Sequence, residues 1–167
     1  MSLGLLTRYG LTQPVIECEL YAVTTLGARS STSQSAMGNV YRAENAVSVC
    51  ALRARLNSTA TNFVMRLHTK TDGEWSVVAT TSPGGDATSG EKWVELPITP
   101  TVVAADQEFA VTVNRSPAGS FSGYFSTSLA AYVFDANVTF LTGGLASDPA
   151  SLTSAYWATT CAKFGVA

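Results

Sequence analysis

His68 is the only histidine among the 167 residues of the chain, so any nucleophile that relies on an imidazole base must use it. It stands between Arg66 and Lys70 in a segment whose side chains alternate between apolar and polar. Two cationic neighbours disfavour the protonated imidazolium, and neither supplies the carboxylate that orients a catalytic histidine. We therefore predict that His68 lies on the surface and that the chain is not an enzyme. The competing hypothesis, a hydrolase, would need His68.

The carboxylates and glycines form no recognisable catalytic or phosphate-binding pattern. The acidic residues are scattered singly, which gives no reason for two of them to converge as in a glycosidase. The sequence contains no P-loop, HExxH, CxxC or dinucleotide-binding motif. Asp86 and Asp106 fall in predicted turns, where they could contribute to a calcium site, but a turn aspartate more commonly caps a backbone N–H. We predict no metal and no cofactor.

Three cysteines, Cys18, Cys50 and Cys161, are too widely spaced to form a local metal knuckle. Free cysteines in proteins are usually buried and behave as small apolar residues. The sequence therefore predicts three reduced, mostly buried thiols.

The composition predicts a neutral surface. Hydrophobic residues make up 46% of the chain and charged residues 13%, against about 25% charged residues in ordinary soluble domains. The net charge of −2 gives no electrostatic basis for binding nucleic acid or an anionic membrane. No apolar run is long enough for a membrane helix, and residues 1–6 lack the basic start of a signal peptide. A neutral surface suits assemblies in which much of the protein is covered.

A β-hairpin over residues 62–81 is the clearest structural prediction. Phe63, Met65 and Leu67 share one face of an extended segment, and the polar residues between them share the other. Asp72-Gly73 then forms the turn, because both central positions of a type I′ turn require a positive φ that these residues tolerate. An isolated hairpin is marginally stable in water, so a larger sheet and a second apolar layer must accompany it.

Further segments indicate an all-β protein. We predict strands over residues 15–23, 46–56, 93–96, 107–114, 130–141 and 155–164, with loops at 26–37, 83–90 and 116–123 and a final loop that starts at Asp148-Pro149. In the strand at 107–114, alternation predicts that Phe109, Val111 and Val113 face inward. Pro97 and Pro100 are expected to end the strand that starts at Trp93. About eight to ten short antiparallel strands of this kind are typical of a β-sandwich or jelly roll. We therefore predict an N-terminal arm at 1–14 and a single sandwich domain at 15–167.

Two groups of residues are candidate binding sites. If the strand at 46–56 joins the hairpin's sheet, four cationic or imidazole side chains share one solvent face with a nearby tryptophan: Arg53, Arg55, Arg66, His68 and Trp93. An exposed aromatic ring beside guanidinium groups suits a glycan. The alternative is a solvated polar face with Trp93 packed under a loop. Phe121, Tyr124 and Phe125 form the second candidate, or cap the end of the sandwich.

The run from Val40 to Phe164 resembles a family of bacterial jelly-roll domains of unassigned function, found beside carbohydrate-active and adhesive modules. The matching segments are Val47 to Arg53, Trp93 to Leu96 before a proline-marked turn, Asp106 to Val113, and Tyr156-Trp157 near the end. These are packing motifs, and none identifies a catalytic group. The resemblance implies a jelly roll and, as one hypothesis, a carbohydrate-binding module.

The short apolar arm and the missing export signal also resemble small structural proteins of tailed bacteriophages, such as decoration and fibre proteins. This resemblance implies a virion protein that is assembled in the host cytoplasm. Its partners would be other virion proteins and further copies of the chain, for example in a trimer, and surface glycans are a further expected ligand. We predict that either the arm, through its apolar residues Leu3, Leu5, Leu6 and Tyr9, or the Ser-rich loop at 30–36 orders against a neighbouring copy or another virion protein.

Overall fold

The computed structural model describes residues 29–34, 36–57, 63–83, 91–115, 121–126, 133–153, 157–158 and 160–167. Within them lie twelve β-strands and one turn of 3₁₀ helix at Pro149–Ser151. The strands are β1 (Arg29–Gln34), β2 (Ala36–Ala43), β3 (Val47–Asn57), β4 (Phe63–Thr71), β5 (Glu74–Thr80), β6 (Glu91–Val103), β7 (Glu108–Arg115), β8 (Phe121–Ser126), β9 (Val133–Asp135), β10 (Val138–Gly144), β11 (Trp157–Ala158) and β12 (Thr160–Val166).

The predicted hairpin is confirmed as β4 and β5. Asp72 and Gly73 have φ angles of 53° and 88°, as a type I′ turn requires. The register pairs Thr71 with Glu74 next to the turn and Lys70 with Trp75 one step further. A register shift between Leu67 and His68 then adds one residue to β5, which forms a β-bulge.

The strands form two antiparallel sheets. The sheet that contains the hairpin, called here the hairpin sheet, has the order β5-β4-β7-β2-β10-β9. In the second, called the β3 sheet, β3 pairs with β6 along one side and with β12 and the end of β8 along the other. Strands β1 and β11 extend this sheet from β8. The all-β sandwich predicted from the sequence is therefore confirmed.

The core lies between the two sheets and contains the inward face of each long strand. Tyr41 stacks on Phe109 with ring centroids 5.3 Å apart and meets Phe140 edge-on at 6.1 Å. The largest fully buried side chains are Phe63, Phe109, Phe140, Met37, Leu52, Met65, Leu67, Val47, Val49 and Val103. The alternation predicted for the hairpin and for the strand at 107–114 thus gives their inward faces correctly.

A polar contact joins the two sheets inside this core. Asn39 donates from Nδ2 to the carbonyl oxygen of Thr160 at 2.7 Å, and the hydroxyl of Tyr41 donates to the same oxygen. The hydroxyl of Thr160 donates to the carbonyl oxygen of Val111 at 3.1 Å. Since Thr160 begins β12 and the other residues belong to the hairpin sheet, these bonds satisfy buried polar groups across the sandwich.

Three predictions about the backbone are wrong. The Ser-rich segment predicted as a loop at 26–37 contains β1 and the start of β2, because pairing with β8 and β7 satisfies its backbone whatever its side chains are. The predicted loop at 116–123 is a strand from Phe121 onward. Strand β6 continues through Pro97 and Pro100. Pro97 lies opposite Ala51 in the register, and Pro100 falls in the irregularity between the pairs Val49–Thr101 and Ala51–Pro97, a setting in which strands tolerate proline.

Candidate functional site

The five residues of the first predicted site do not share a face. Arg53 and Arg55 lie on β3, whereas Arg66 and His68 lie on β4 in the other sheet. The premise that these two strands join one sheet was therefore wrong. Alternation identifies which residues share a face of one strand, but it does not determine which strands pair.

On the outer face of the β3 sheet, one carboxylate joins two cations. Arg53 lies opposite Glu95 of β6 in the register, and its Nε is 3.1 Å from Glu95 Oε2. Lys163 of β12 approaches the other oxygen, with Nζ 3.2 Å from Oε1. The side chain of Arg53 is only 14% exposed, so this guanidinium is largely committed to the fold. The sequence analysis missed Glu95 and Lys163, since their proximity to Arg53 depends on the register of β3 with both neighbours.

The register does bring one predicted pair together. Arg55 lies directly opposite Trp93 on β6, one step along the same face from Arg53 and Glu95. Residues opposite each other on antiparallel strands are within side-chain contact distance. The side chain of Trp93 lies outside the part of the structure that is described. The outer face of the β3 sheet thus carries three cations near the Glu95 carboxylate and near the backbone position of Trp93. These cations are Arg53, Arg55 and Lys163.

His68 is buried, which contradicts the predicted surface location. It does face outward from the hairpin sheet, opposite Val77 and Ala110, but only 6% of it is exposed. Its Nε2 is 3.0 Å from the hydroxyl oxygen of Thr112. Burial, and then the positive charge of Arg66, lower the pKa of His68 to about 4, although Asp148 acts in the opposite direction. The imidazole is therefore neutral at pH 7.

The cover over this face is residues 145–153, called here the strap. Its Leu152 is buried against Val40 and Ala110, two outward-facing residues of the hairpin sheet. Asp148 caps the 3₁₀ turn of the strap, since its Oδ1 accepts a hydrogen bond from Ala150 N at 3.0 Å. The amide of Leu152 donates to the Pro149 carbonyl oxygen at 3.1 Å, which fixes the position of the leucine. The Asp148-Pro149 pair indicated a loop but not where the loop would pack.

Near the hairpin turn, the same outer face carries a tryptophan and an ion pair. Lys70 Nζ is 2.8 Å from Glu108 Oε2 and 5.6 Å from the centroid of the Trp75 ring. Trp75 packs with the Val40 cluster under the strap, whereas Ala79 of the same strand packs into the main core. The β-bulge explains this difference, because one added residue reverses the alternation along β5. No period-two reading of the sequence could have shown it.

A second ion pair on this face joins Arg42 and Glu44, with Nε and Oε1 3.1 Å apart. The pKa of the Glu44 carboxyl is lowered, first by a hydrogen bond with Thr139 and then by Arg42. Two cations on the outer face of this sheet, Arg42 and Lys70, are thus each paired with a carboxylate.

Strand β5 carries two adjacent exposed valines. Val77 and Val78 are 51% and 42% exposed, and no described strand pairs with the free side of β5, opposite β4. Val102 of β6 and Leu145 of the strap are also exposed. Large apolar side chains at such positions are typical of surfaces that contact other molecules.

The remaining predicted residues give no site. The backbone places Phe121 opposite Gln34 and Tyr124 opposite Arg29 on β1, but the side chains of β8 lie outside the described part of the structure. The arm residues Leu3, Leu5, Leu6 and Tyr9, and the strand predicted at 15–23, also lie outside it.

The cysteines differ from the prediction of three reduced thiols. Cys50 is disulfide-bonded, so that prediction is wrong for Cys50. Cys161 is a free, buried thiol, and burial raises its pKa to about 12. A thiol this far from ionisation at neutral pH is a poor nucleophile.

The described residues contain no group of three or more histidine, cysteine, aspartate or glutamate side chains placed to hold a metal ion. Asp106, one of the two calcium candidates, is a turn residue with a φ of 62°, and its amide donates to the Ala43 carbonyl oxygen at 2.7 Å. Asp86 is not among the described residues. No helix in the described ranges is long and apolar enough to cross a membrane.

No protein-family model and no curated protein matches the chain.

Proposed function

We propose that the chain is a non-catalytic structural and adhesive protein of a tailed-bacteriophage particle. The observation that carries this proposal is the environment of His68. The only imidazole of the chain is buried, shares a hydrogen bond with Thr112 and is neutral at pH 7. Its ring nitrogen contacts a hydroxyl that packing also buries, since Thr112 is 0% exposed. Both groups of this pair are therefore largely removed from solvent.

A contact role is supported by the surface that remains. The large hydrophobic side chains that are exposed among the described residues are aliphatic, namely Val77, Val78, Val102 and Leu145. The whole chain has few charges, so covering such a surface costs little desolvation of ions. These properties favour a protein whose work is to bind neighbouring subunits.

The phage assignment is supported by the sequence resemblance to small virion proteins. Under this assignment, the partners of the chain are other virion proteins and further copies of the chain, and its location is the virion. The apolar residues near the start, Leu3 to Tyr9, are the candidates for docking on the particle.

The test is to find the chain in particles. Particles are purified from a culture that produces the phage encoding this sequence, and their proteins are identified by mass spectrometry. We expect the chain at a stoichiometric level, and gold-labelled antibodies against it at a fixed place on the particle. Its absence from particles, while it accumulates in the lysate, would contradict the proposal.

Carbohydrate binding is the second candidate, and the register of Arg55 with Trp93 beside Arg53, Glu95 and Lys163 favours it. Guanidinium and ammonium groups next to an aromatic ring suit an anionic glycan. On a glycan array, we expect binding to carboxylated oligosaccharides that weakens at least tenfold in Arg55→Ala. Arg42→Ala, which removes a cation from the other sheet, is the matched control and should bind as the wild type does. Equal loss in both variants would contradict a site on the β3 sheet.

A further inference from the structure

The free side of β5 carries backbone groups ready to pair. Thr71 and Glu74 flank a two-residue turn, so they form the hydrogen-bonded pair next to it. In an antiparallel ladder such pairs alternate with pairs whose N–H and C=O point away from the partner strand. Trp75 and Val77 occupy these alternate positions opposite Lys70 and His68. Their backbone groups therefore point to the side of β5 where no described strand pairs.

Edge strands are usually protected against pairing by charges or prolines. Strand β6, the edge of the β3 sheet, contains Lys92, Glu95, Pro97 and Pro100. Strand β5 has no charged residue and no proline between Trp75 and Thr80. Its two central valines are exposed instead. Only the bulge at Val78 interrupts its regular geometry, so the half of β5 next to the turn remains an unprotected template.

We propose that β5 pairs antiparallel with β5 of a second copy of the chain, about a two-fold axis at Ser76. This register places Trp75 opposite Val77 of the second copy, so each of these two residues donates and accepts one backbone hydrogen bond across the axis. It also places Glu74 opposite Val78 of the second copy, which separates the two carboxylates and leaves no like charges opposite each other. The two hairpin sheets then form one continuous sheet across the dimer.

The neighbouring strand limits how the second copy approaches. Strand β6 comes close to β5 at this side of the sandwich without pairing with it. The partner must therefore enter in the plane of the hairpin sheet, along the half of β5 that follows the turn. The inference deepens the proposed assembly role, on which it rests, because it identifies the first partner as a second copy and the contact as a strand edge.

The test measures the mass of the purified full chain by size-exclusion chromatography with light scattering over a range of concentrations. We expect a particle of twice 17.5 kDa at high concentration. In Val77→Lys the dissociation constant should rise at least tenfold, because each copy would place a charged side chain beside Trp75 of the other, and a lysine on an edge strand opposes pairing. Leu145→Lys is the matched control: Leu145 is similarly exposed, at 46%, but follows β10, four strands away from β5. It should dimerise as the wild type does.

A second measurement locates the contact. In the dimer, hydrogen exchange at the amides of Trp75 and Val77 should slow as the concentration rises, and in Val77→Lys it should not. A wild type that stays monomeric, a trimer, or a dimer unaffected by Val77→Lys would each overturn the inference. A monomer that is nevertheless found in particles would leave the proposed function standing, and a dimer absent from particles would contradict that function alone.

Discussion

His68 shows how far the surroundings of a single side chain determine its chemistry. Its neighbours in the sequence, Arg66 and Lys70, suggest a solvated strand face, and it does point outward from its sheet. Packing in the folded chain then removes it from water, since only 6% of it is exposed, and Thr112 provides a hydroxyl partner at 3.0 Å. A neutral imidazole fits this site, and a charged one does not, because nothing in the hydrogen bond to Thr112 compensates for the lost hydration.

This burial predicts a pH dependence of stability. The pKa of His68 is about 4 in the folded chain, against an ordinary value of 6.5. Between these two pH values the unfolded chain binds a proton that the folded chain does not, so the free energy of unfolding falls as the pH falls from 6.5 to about 4. We expect a loss of about 2 to 3 kcal/mol by pH 4.5 that is specific to this residue.

The measurement is urea unfolding at pH 7 and pH 4.5 for the wild type and for His68→Gln. Glutamine can keep a hydrogen bond to Thr112 but does not titrate, so the variant should lose less stability than the wild type over this range. The carboxylates titrate in both proteins and cancel in the comparison. Equal losses in the two proteins would show that His68 is already protonated in the folded state, or remains exposed.

At the scale of elements, the strap depends on the absence of a side chain in β2. A Cβ atom at Gly38 would lie 2.8 Å from Thr112 Cγ2 and 3.1 Å from Leu152 Cδ1. It would also lie 3.0 Å from the carbonyl oxygen of Val111. The first two distances are below van der Waals contact, so the glycine is what allows Leu152 and Thr112 to pack at the same place. One residue of β2 thereby determines whether the strap can pack against the hairpin sheet.

Gly38→Ala should therefore destabilise the fold by about 1 to 3 kcal/mol, the usual cost of overpacking. Thr112→Ser removes the nearest methyl group and keeps the hydroxyl that meets His68, so it should recover part of the loss when combined with Gly38→Ala. Thermal unfolding of the two single variants and the double variant measures this coupling. Purely additive losses would contradict the contact, as would an alanine variant as stable as the wild type.

At the scale of the whole molecule, the two sheets are held together by more than apolar contact. The rings of Tyr41 and Phe109 stack in the core, and the hydroxyl of Tyr41 crosses to the Thr160 carbonyl of the other sheet. Asn39 makes a second bond to that carbonyl and one to the tyrosine hydroxyl at 3.1 Å. Such a network favours one relative position of the sheets, because any sliding would leave buried polar groups without partners.

Tyr41→Phe removes the hydroxyl and leaves the ring stacking in place. We expect a loss of about 1 to 3 kcal/mol in the free energy of unfolding, because one bond to the Thr160 oxygen disappears and Asn39 loses an acceptor in the core. Thr101→Val is the matched control, since it removes an exposed hydroxyl that donates to the Thr99 carbonyl oxygen at 2.9 Å. Urea unfolding should separate the two variants. Equal effects would mean that the contact between the sheets adds nothing beyond a surface hydrogen bond.

The sequence by itself determined the local structure of this protein. Period-two alternation identified the inward faces of β4 and β7, and Asp72-Gly73 identified the turn, because both signals depend only on residues close together in the chain. The same patterns were enough for the all-β sandwich. Serine content and the prolines of β6 misled the prediction, since a strand edge tolerates residues that a central strand does not.

Only the tertiary structure decided where the faces of the strands lie relative to one another. It placed Arg53 and His68 on different sheets, buried His68 although it faces outward, and turned Ala79 into the core through a bulge. Strand pairing and loop packing join residues far apart in the chain, and the free energy of each depends on the partner that is met. A periodic pattern of side chains does not specify which strand or loop a segment will contact. The surroundings of Arg53, His68 and Trp75 therefore depend on contacts that form only when the chain folds.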